Sequence, residues 1–280
     1  MAFYIINNAK ERNELKDGMP IIEATSGNTG IAISAIGKYY GHKVYIYMPD
    51  WVSKERIDIM KLYGAEIILV SRKEGGFNKC LELARKKAKE VNGLFTNQFS
   101  NYDNFLAHFE TTGSEFARDL PEEVYGFVSG VGTGGTLMGV GKRLKKEYEN
   151  LKIVAIEPDK MPIISKGKIL GEHKIEGIGD DFVPDLLDKE AIDKIILVND
   201  EDAINMSRRL SKELGLGVGI SSGANLIGSA LLQKETNMPV ATVFADDNKK
   251  YLSTELSKDI DNNRSFISNK IKLLGYEVIY

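Results

Sequence analysis

Two polar loops in this chain carry residue types suited to holding an anion. The first is Glu23-Ala24-Thr25-Ser26-Gly27-Asn28-Thr29-Gly30, which follows Ile21-Ile22 and precedes the apolar run Ile31-Ala32-Ile33-Ser34-Ala35-Ile36. That order reads as a strand, a tight turn and a helix start. The turn supplies hydroxyls, one amide and two glycines. Gly27 and Gly30 let the backbone approach a ligand closely. The helix behind them presents free N–H groups and the positive end of its dipole. Such a loop suits a carboxylate or a phosphate, and a plain connection with an Asn/Thr cap uses the same residues. The second loop, Gly132-Thr133-Gly134-Gly135-Thr136, also follows a strand and opens a helix. Its glycines and hydroxyls can form an anion nest. It lacks the lysine of a P-loop and the full dinucleotide fingerprint.

The elements around these loops alternate. A helix is expected over 2–15, ended by Lys16-Asp17-Gly18-Met19-Pro20. Val44-Tyr45-Ile46-Tyr47 has strand length, and Ser53 can cap a helix carrying Ile57 and Met60. Ile67-Ile68-Leu69-Val70 is a continuous apolar run, as in a strand buried on both faces. Phe77, Leu81, Ala84, Ala88 and Val91 recur at helical spacing, and Leu94-Phe95-Thr96 is the next strand. A second series starts near 104, with strands at 124–128, 153–156, 195–198 and 240–244. Asn199 or Asp200 caps a helix through Ile204 and Leu210, and 217–223 opens another. The stretch 159–190 is irregular, and long loops of this kind are often functional. This βαβα pattern predicts an α/β fold with mainly parallel sheets covered by helices.

Composition narrows the classes. At 280 residues the chain fits one large or two moderate domains, and 42% hydrophobic content is ordinary for a globular protein. A net charge of −3 gives no basic footprint for nucleic acid. The cluster Arg85, Lys86, Lys87 and Lys89 reads as the wet face of a helix. No apolar run approaches the roughly 20 residues that span a bilayer, and no signal peptide is evident. One cysteine, Cys80, excludes an internal disulfide framework and fits a reducing, cytoplasmic setting. It reads as a small core residue. With only three histidines besides, no metal site is expected.

The loops, with further motifs in collinear order, resemble the cysteine synthase and cystathionine β-synthase family, pyridoxal-phosphate enzymes of fold type II. The resemblance rests on Thr25-Ser26-Gly27-Asn28-Thr29-Gly30, Met48-Pro49 with Ser53, Glu55 and Arg56, and Gly64-Ala65. It continues through Gln98-Phe99-Ser100-Asn101, His108 with Thr111-Thr112-Gly113, and 130–136. Glu157-Pro158, Gly177-Ile178-Gly179, Gly219-Ile220-Ser221-Ser222-Gly223 and Tyr251-Leu252-Ser253 complete it. It implies two mainly parallel open sheets with a cofactor cleft between two domains: 1–103, smaller and partly mobile; 104–265, larger; and a tail, 266–280. Asn28 matches the residue that meets the cofactor's phenolic oxygen. Thr25, Ser26, Gly27, Thr29 and Gln98 match the grip on the substrate's α-carboxylate. Gly132, Thr133, Gly134, Gly135 and Thr136 match the phosphate loop, Gly177 and Ile178 line the other side, and Ser222 packs near the ring. A small amino acid is the implied substrate, with a homodimer and the C-terminal peptide of serine acetyltransferase as possible partners.

Three departures from the family pattern stand out. The Schiff-base lysine belongs to a Ser-x-Lys-Asp-Arg type segment ahead of the position of Met1, and Lys10 and Lys16 do not match it. The sequence is therefore expected to be part of a longer chain, the competing expectation being a lysine-free binding protein. Second, Asp180-Asp181 stands where cysteine synthases carry Ala-Gly and cystathionine β-synthases Tyr-Asp, so Asp181 resembles the latter branch and Asp180 fits neither. Asp180 would point near the substrate's β-carbon, where a carboxylate could serve as general base toward water or a thiol and would repel sulfide. A plain loop-turn carboxylate is the alternative. Third, register with Tyr251 places Asp247 where the family has a serine facing the pyridine nitrogen, with Asp246 the neighbouring candidate. A carboxylate there favours the protonated ring and a stronger electron sink. The resemblance implies β-elimination or β-replacement on a small amino acid, and Asp180 shifts the expectation to L-cysteine giving hydrogen sulfide and L-serine. O-acetylserine sulfhydrylase and cystathionine β-synthase activities are the alternatives.

Overall fold

A computed structural model describes residues 1–258 and 265–279; the start of the polar tail expected from Asp259 lies outside them, as does Tyr280. The chain divides into two units, Met1–Ala107 and His108–Tyr280. The expected boundary at 103/104 falls inside a helix, Tyr102–Ala107.

The first unit runs α1 (Ala2–Glu11), β1 (Ile21–Ala24), α2 (Asn28–Tyr39), β2 (Val44–Pro49), α3 (Lys54–Leu62), β3 (Glu66–Val70), α4 (Gly76–Glu90), β4 (Leu94–Phe95) and α5 (Tyr102–Ala107). Helix α1 stops short of the expected residue 15. Asn13 takes a left-handed φ of 59°, and the N–H groups of both Glu14 and Leu15 turn back to the Ala9 carbonyl at 2.8 and 3.1 Å. All strand pairs are parallel, in the order β3-β2-β1-β4. β1 is buried along its whole length because layers cover both faces. Ile6, Ile21, Ile33, Ile46 and Met60 form one layer with α1 and α2. Ile22, Ala24, Tyr45, Tyr47, Cys80 and Ala84 form the other with α4. A fully buried isoleucine such as Ile46 contributes roughly 2 kcal/mol. β3 corrects the expectation of burial on both faces: Leu69 is 45% exposed. It is an edge strand, and a β-branched run suits a half-covered edge as well as a centre. Arg85, Lys86 and Lys89 lie on the exposed face of α4. Burial pushes the Cys80 thiol up to about 12, so it is no nucleophile at neutral pH.

The second unit starts with a π-helical turn, His108–Thr112, then α6 (Gly113–Asp119), β5 (Gly126–Gly130), α7 (Gly135–Leu144) and β6 (Lys152–Pro158). A short α8 (Ile163–Lys166) interrupts the irregular stretch before β7 (Lys194–Val198), α9 (Asp200–Leu214), α10 (Ile220–Thr236) and β8 (Val240–Thr242). The sheet is again parallel, in the order β7-β6-β5-β8. Asn199 caps α9 by accepting from the N–H groups of Glu201 and Asp202. The last strand is shorter than expected: it ends at Thr242, and Phe244 beyond it is 38% exposed. β8 has a single strand neighbour, so an apolar run is not enough to extend it.

Both sheets reverse direction at one point. In the first unit the chain steps outward from β1 to β2 and β3, then returns to β4 on the other side of β1. In the second it steps from β5 to β6 and β7, then returns to β8 beside β5. In open parallel sheets, ligands bind outside the C-terminal ends of the strands that flank such a reversal. Those ends are 25–30 and 96–98 in one unit, and 131–136 and 243–247 in the other.

Candidate functional site

In the first unit, the 25–30 loop leaves β1 and becomes α2, whose N-cap is Gly27 with no side-chain cap. The Thr25 hydroxyl accepts from the Gly27 N–H at 3.1 Å, which folds the turn. A Cβ on Gly27 would lie 2.3 Å from Arg56 Nε, and one on Gly30 would lie 2.6 Å from Thr25 Cγ2. The loop is therefore pressed against the buried Arg56 guanidinium, which is 1% exposed and donates to Ser53 Oγ at 3.1 Å. Ser53 stands at the N-cap of α3 as expected but gives its hydroxyl to Arg56 rather than to the helix backbone. Asn28 is exposed, Ser26 and Thr29 are partly buried, and Thr25 is buried. Gln98 reaches the same loop: its side chain donates to the Ala24 carbonyl at 2.9 Å. Sequence reasoning gave no role to Arg56, although it stands in the matched Ser53–Arg56 motif.

In the second unit, the 132–136 loop leaves β5 and becomes α7. Gly134 is its N-cap, with φ 83° and no side-chain cap, and the Thr133 hydroxyl accepts from the Gly135 N–H at 3.3 Å. Gly177 and Ile178 lie against it. A Cβ on Gly132 would sit 2.4 Å from the Gly177 carbonyl oxygen, and the Gly179 N–H donates to the Val131 carbonyl at 2.9 Å. Here glycine is required by close backbone approach.

Two residues without an assigned role also shape this loop. His108 Nε2 lies 3.2 Å from Thr136 Oγ1, and its Nδ1 lies 3.2 Å from Thr112 Oγ1. Burial lowers its pKa to about 4, so the imidazole is neutral at pH 7. Asn225 on α10 accepts from the Gly130 N–H and donates to the Val243 carbonyl, both at 2.8 Å, tying together the two strands that flank the reversal. A polar residue in the apolar stripe of α10 was the only sequence signal for it.

Ser222 lies in the first turn of α10, fully buried, and its hydroxyl has no hydrogen-bond partner among the described residues. Below it, Gly219 has no room for a Cβ, because the Asp246 carboxylate occupies that space. Asp246 also accepts from the Tyr251 hydroxyl at 2.9 Å. Asp247 is used differently: it caps the turn Asn248–Tyr251 by accepting from the Lys249 N–H at 2.9 Å, with Lys250 Nζ 3.8 Å away.

Asp180 is partly buried beside a small pocket walled by Val131, Ile163, Ile164, Phe182 and Pro184. Glu157 closes the pocket, its carboxylate accepting from the N–H groups of Ile164 and Ser165 at 2.5 and 3.0 Å. His173 Nε2 lies 2.8 Å from the Gly179 carbonyl oxygen and fixes the segment before Asp180. Burial, and then the adjacent Asp181 charge, push the Asp180 carboxyl up to about 7.

Comparison with known proteins shows the family of the chain. The family described as "Pyridoxal-phosphate dependent enzyme" matches residues 1–246. Cysteine synthase B of Campylobacter jejuni is 41% identical over 261 residues, covering 91% of this chain and 85% of that protein. A cysteine synthase of Staphylococcus aureus is 42% identical over 263 residues, 91% and 83% of the two chains. A hydrogen sulfide-producing enzyme (Fn1055) of Fusobacterium nucleatum superposes with a TM-score of 0.91 at 49% identity, over 96% of this chain and 82% of that one. An aspartate-to-asparagine mutant of that enzyme has been crystallised with an α-aminoacrylate intermediate. Among the described residues no helix is long and apolar enough to cross a membrane.

Proposed function

The chain belongs to the pyridoxal-phosphate dependent enzyme family, and on that premise we propose that it converts L-cysteine and water to hydrogen sulfide and L-serine. The cofactor is pyridoxal 5'-phosphate. When bound it supplies an electron sink that lets a substituent leave the substrate's β-carbon. The residues present fit it. A glycine-lined loop at the start of α7 suits the phosphate, and the buried Ser222 hydroxyl lacks a partner among the described residues.

Asp180 carries the choice of reaction. A carboxyl with a pKa of about 7 is matched to taking a proton at neutral pH. In this reading the carbon–sulfur bond breaks first and the sulfur leaves as hydrosulfide; the oxygen of a water then bonds to the β-carbon, its proton goes to Asp180, and Asp180 passes that proton to the hydrosulfide. Until that proton arrives, the Asp180 charge disfavours return of the sulfide anion. Apolar side chains of Val131, Ile163, Ile164, Phe182 and Pro184 wall the pocket beside Asp180. Thr25, Ser26, Gly27, Thr29 and Gln98 hold the substrate's α-carboxylate. Asn28, residues 132–136, Gly177 and Ile178 would hold the cofactor, the 132–136 loop on its phosphate side. Register alone supports Asp247 at the pyridine nitrogen, since its carboxylate caps a turn while that of Asp246 is directed to the start of α10. The hydrogen sulfide-producing neighbour supports the cysteine-consuming direction.

Cysteine synthesis from O-acetylserine and sulfide is the second reading, favoured by the names of the curated relatives. A cytoplasmic homodimer, and docking of a serine acetyltransferase C-terminal carboxylate on the 25–30 loop, extend the proposal. The experiment gives the full-length, cofactor-loaded protein L-cysteine alone, or O-acetylserine with sulfide, and follows sulfide and L-serine. Sulfide release with stoichiometric L-serine supports the proposal. Sulfide consumption alone supports the second reading. Sulfide release that survives Asp180→Ala unchanged removes Asp180 from the mechanism.

A further inference from the structure

Glu23 has no accessible surface, and none of the roles above uses it. It sits in β1 two residues before Thr25. Three donors converge on its carboxylate. The Ala24 N–H donates to Oε1 at 2.7 Å, while the Thr96 hydroxyl and the Gln98 N–H donate to Oε2 at 2.6 and 3.1 Å. Gln98 in turn donates its side-chain amide to the Ala24 carbonyl at 2.9 Å. Glu23, Ala24 and Gln98 thus form a closed ring of hydrogen bonds.

The ring does what the sheet does not. β4 pairs with β1 through only two residues, Ile21 with Leu94 and Ile22 with Phe95. Beyond them Asn97 takes a left-handed φ of 49° and the chain leaves the strand path. The position of Gln98 relative to the 25–30 loop therefore depends on side chains. A carboxyl group, ionised or with its proton turned toward the rotatable Thr96 hydroxyl, accepts both backbone N–H bonds at once. An amide in its place turns an NH2 group toward either the Ala24 or the Gln98 N–H, and one of those bonds is lost.

We propose that Glu23 is a positioning residue for amino-acid binding, its carboxylate locking Gln98 against the 25–30 loop so that both meet the substrate's α-carboxylate. This rests on the reading of Gln98 and that loop as the carboxylate site. The variants are Glu23→Gln, Thr96→Val and Gln98→Ala. The readouts are L-serine binding to the full-length, cofactor-loaded protein by absorption, pyridoxal-phosphate affinity, and amide hydrogen exchange at Ala24 and Gln98.

Glu23→Gln is expected to weaken L-serine about tenfold, the effect of one lost buried acceptor. It should speed exchange at Ala24 or Gln98 and leave cofactor affinity within about twofold. Thr96→Val, which removes one of three donors, is expected to weaken L-serine about threefold. If Glu23→Gln does not fold, Thr96→Val decides. L-serine affinity unchanged in a folded Glu23 or Thr96 variant, while Gln98→Ala weakens it, overturns the proposal. Unchanged affinity in Gln98→Ala overturns instead the reading of the carboxylate site on which it rests.

Discussion

Glu23 also makes a prediction about stability that needs neither cofactor nor substrate. Burial pushes its carboxyl up to about 7 from an ordinary 4.5, and the bonds from Thr96, Ala24 and Gln98 only partly oppose this. Between these two pH values the folded protein keeps a proton that the unfolded chain has released. A group raised in this way stabilises the fold fully below 4.5, and that contribution is lost as pH rises through about 7. The difference corresponds to about 3 kcal/mol. Glu23→Gln removes the titration and leaves one backbone N–H unmet, at about 1–3 kcal/mol. The variant is therefore expected to be less stable than the parent at pH 5 and to draw level or pass it at pH 8. Urea titrations followed by the fluorescence of Trp51, the single tryptophan and a member of the same unit, measure this directly. Parallel stability curves for parent and variant from pH 5 to 8 would refute the reasoning, because they would mean Glu23 does not change protonation on folding in that window.

Asp180→Asn in the full-length protein is expected to lower sulfide release from L-cysteine by about 100-fold or more. In the parent the rate should rise with pH through about 7; a flat profile argues against the general base. Gly132→Ala places a Cβ 2.4 Å from the Gly177 carbonyl oxygen. It should force these two backbones apart and weaken pyridoxal-phosphate affinity, read by fluorescence titration, while unchanged affinity would detach the 132–136 loop from the phosphate. Asn225→Leu leaves the Gly130 N–H and the Val243 carbonyl without their partner and is expected to cost about 2–4 kcal/mol in urea unfolding. Asp247→Asn and Asp246→Asn separate the two candidates for the pyridine nitrogen: the one that faces it shifts the bound cofactor's absorption band, and the other does not.

The sequence by itself determined the class of fold, the family and the cofactor. The parallel α/β pattern follows from buried apolar runs alternating with helical spacing, a local property. The Gly-rich loops, the Asp180 departure and the single core cysteine are equally local, since each depends on residue types at fixed short spacing. Only tertiary structure decided which strands were edges. Ile67-Ile68-Leu69-Val70 reads the same whether one neighbour or two covers it, yet among the described strands β3 has only β2 beside it and leaves Leu69 exposed. It also decided what each polar side chain faces. Nothing near Glu23 in the sequence announces that Thr96 and Gln98, more than 70 positions later, supply two of its three donors. Nor does the sequence show that Arg56 packs under Gly27, or that Asn225 joins the ends of β5 and β8. The physical reason is common to all of these. Spacing along the chain fixes which groups are available, but burial and the closing of hydrogen bonds between distant segments fix which of them meet.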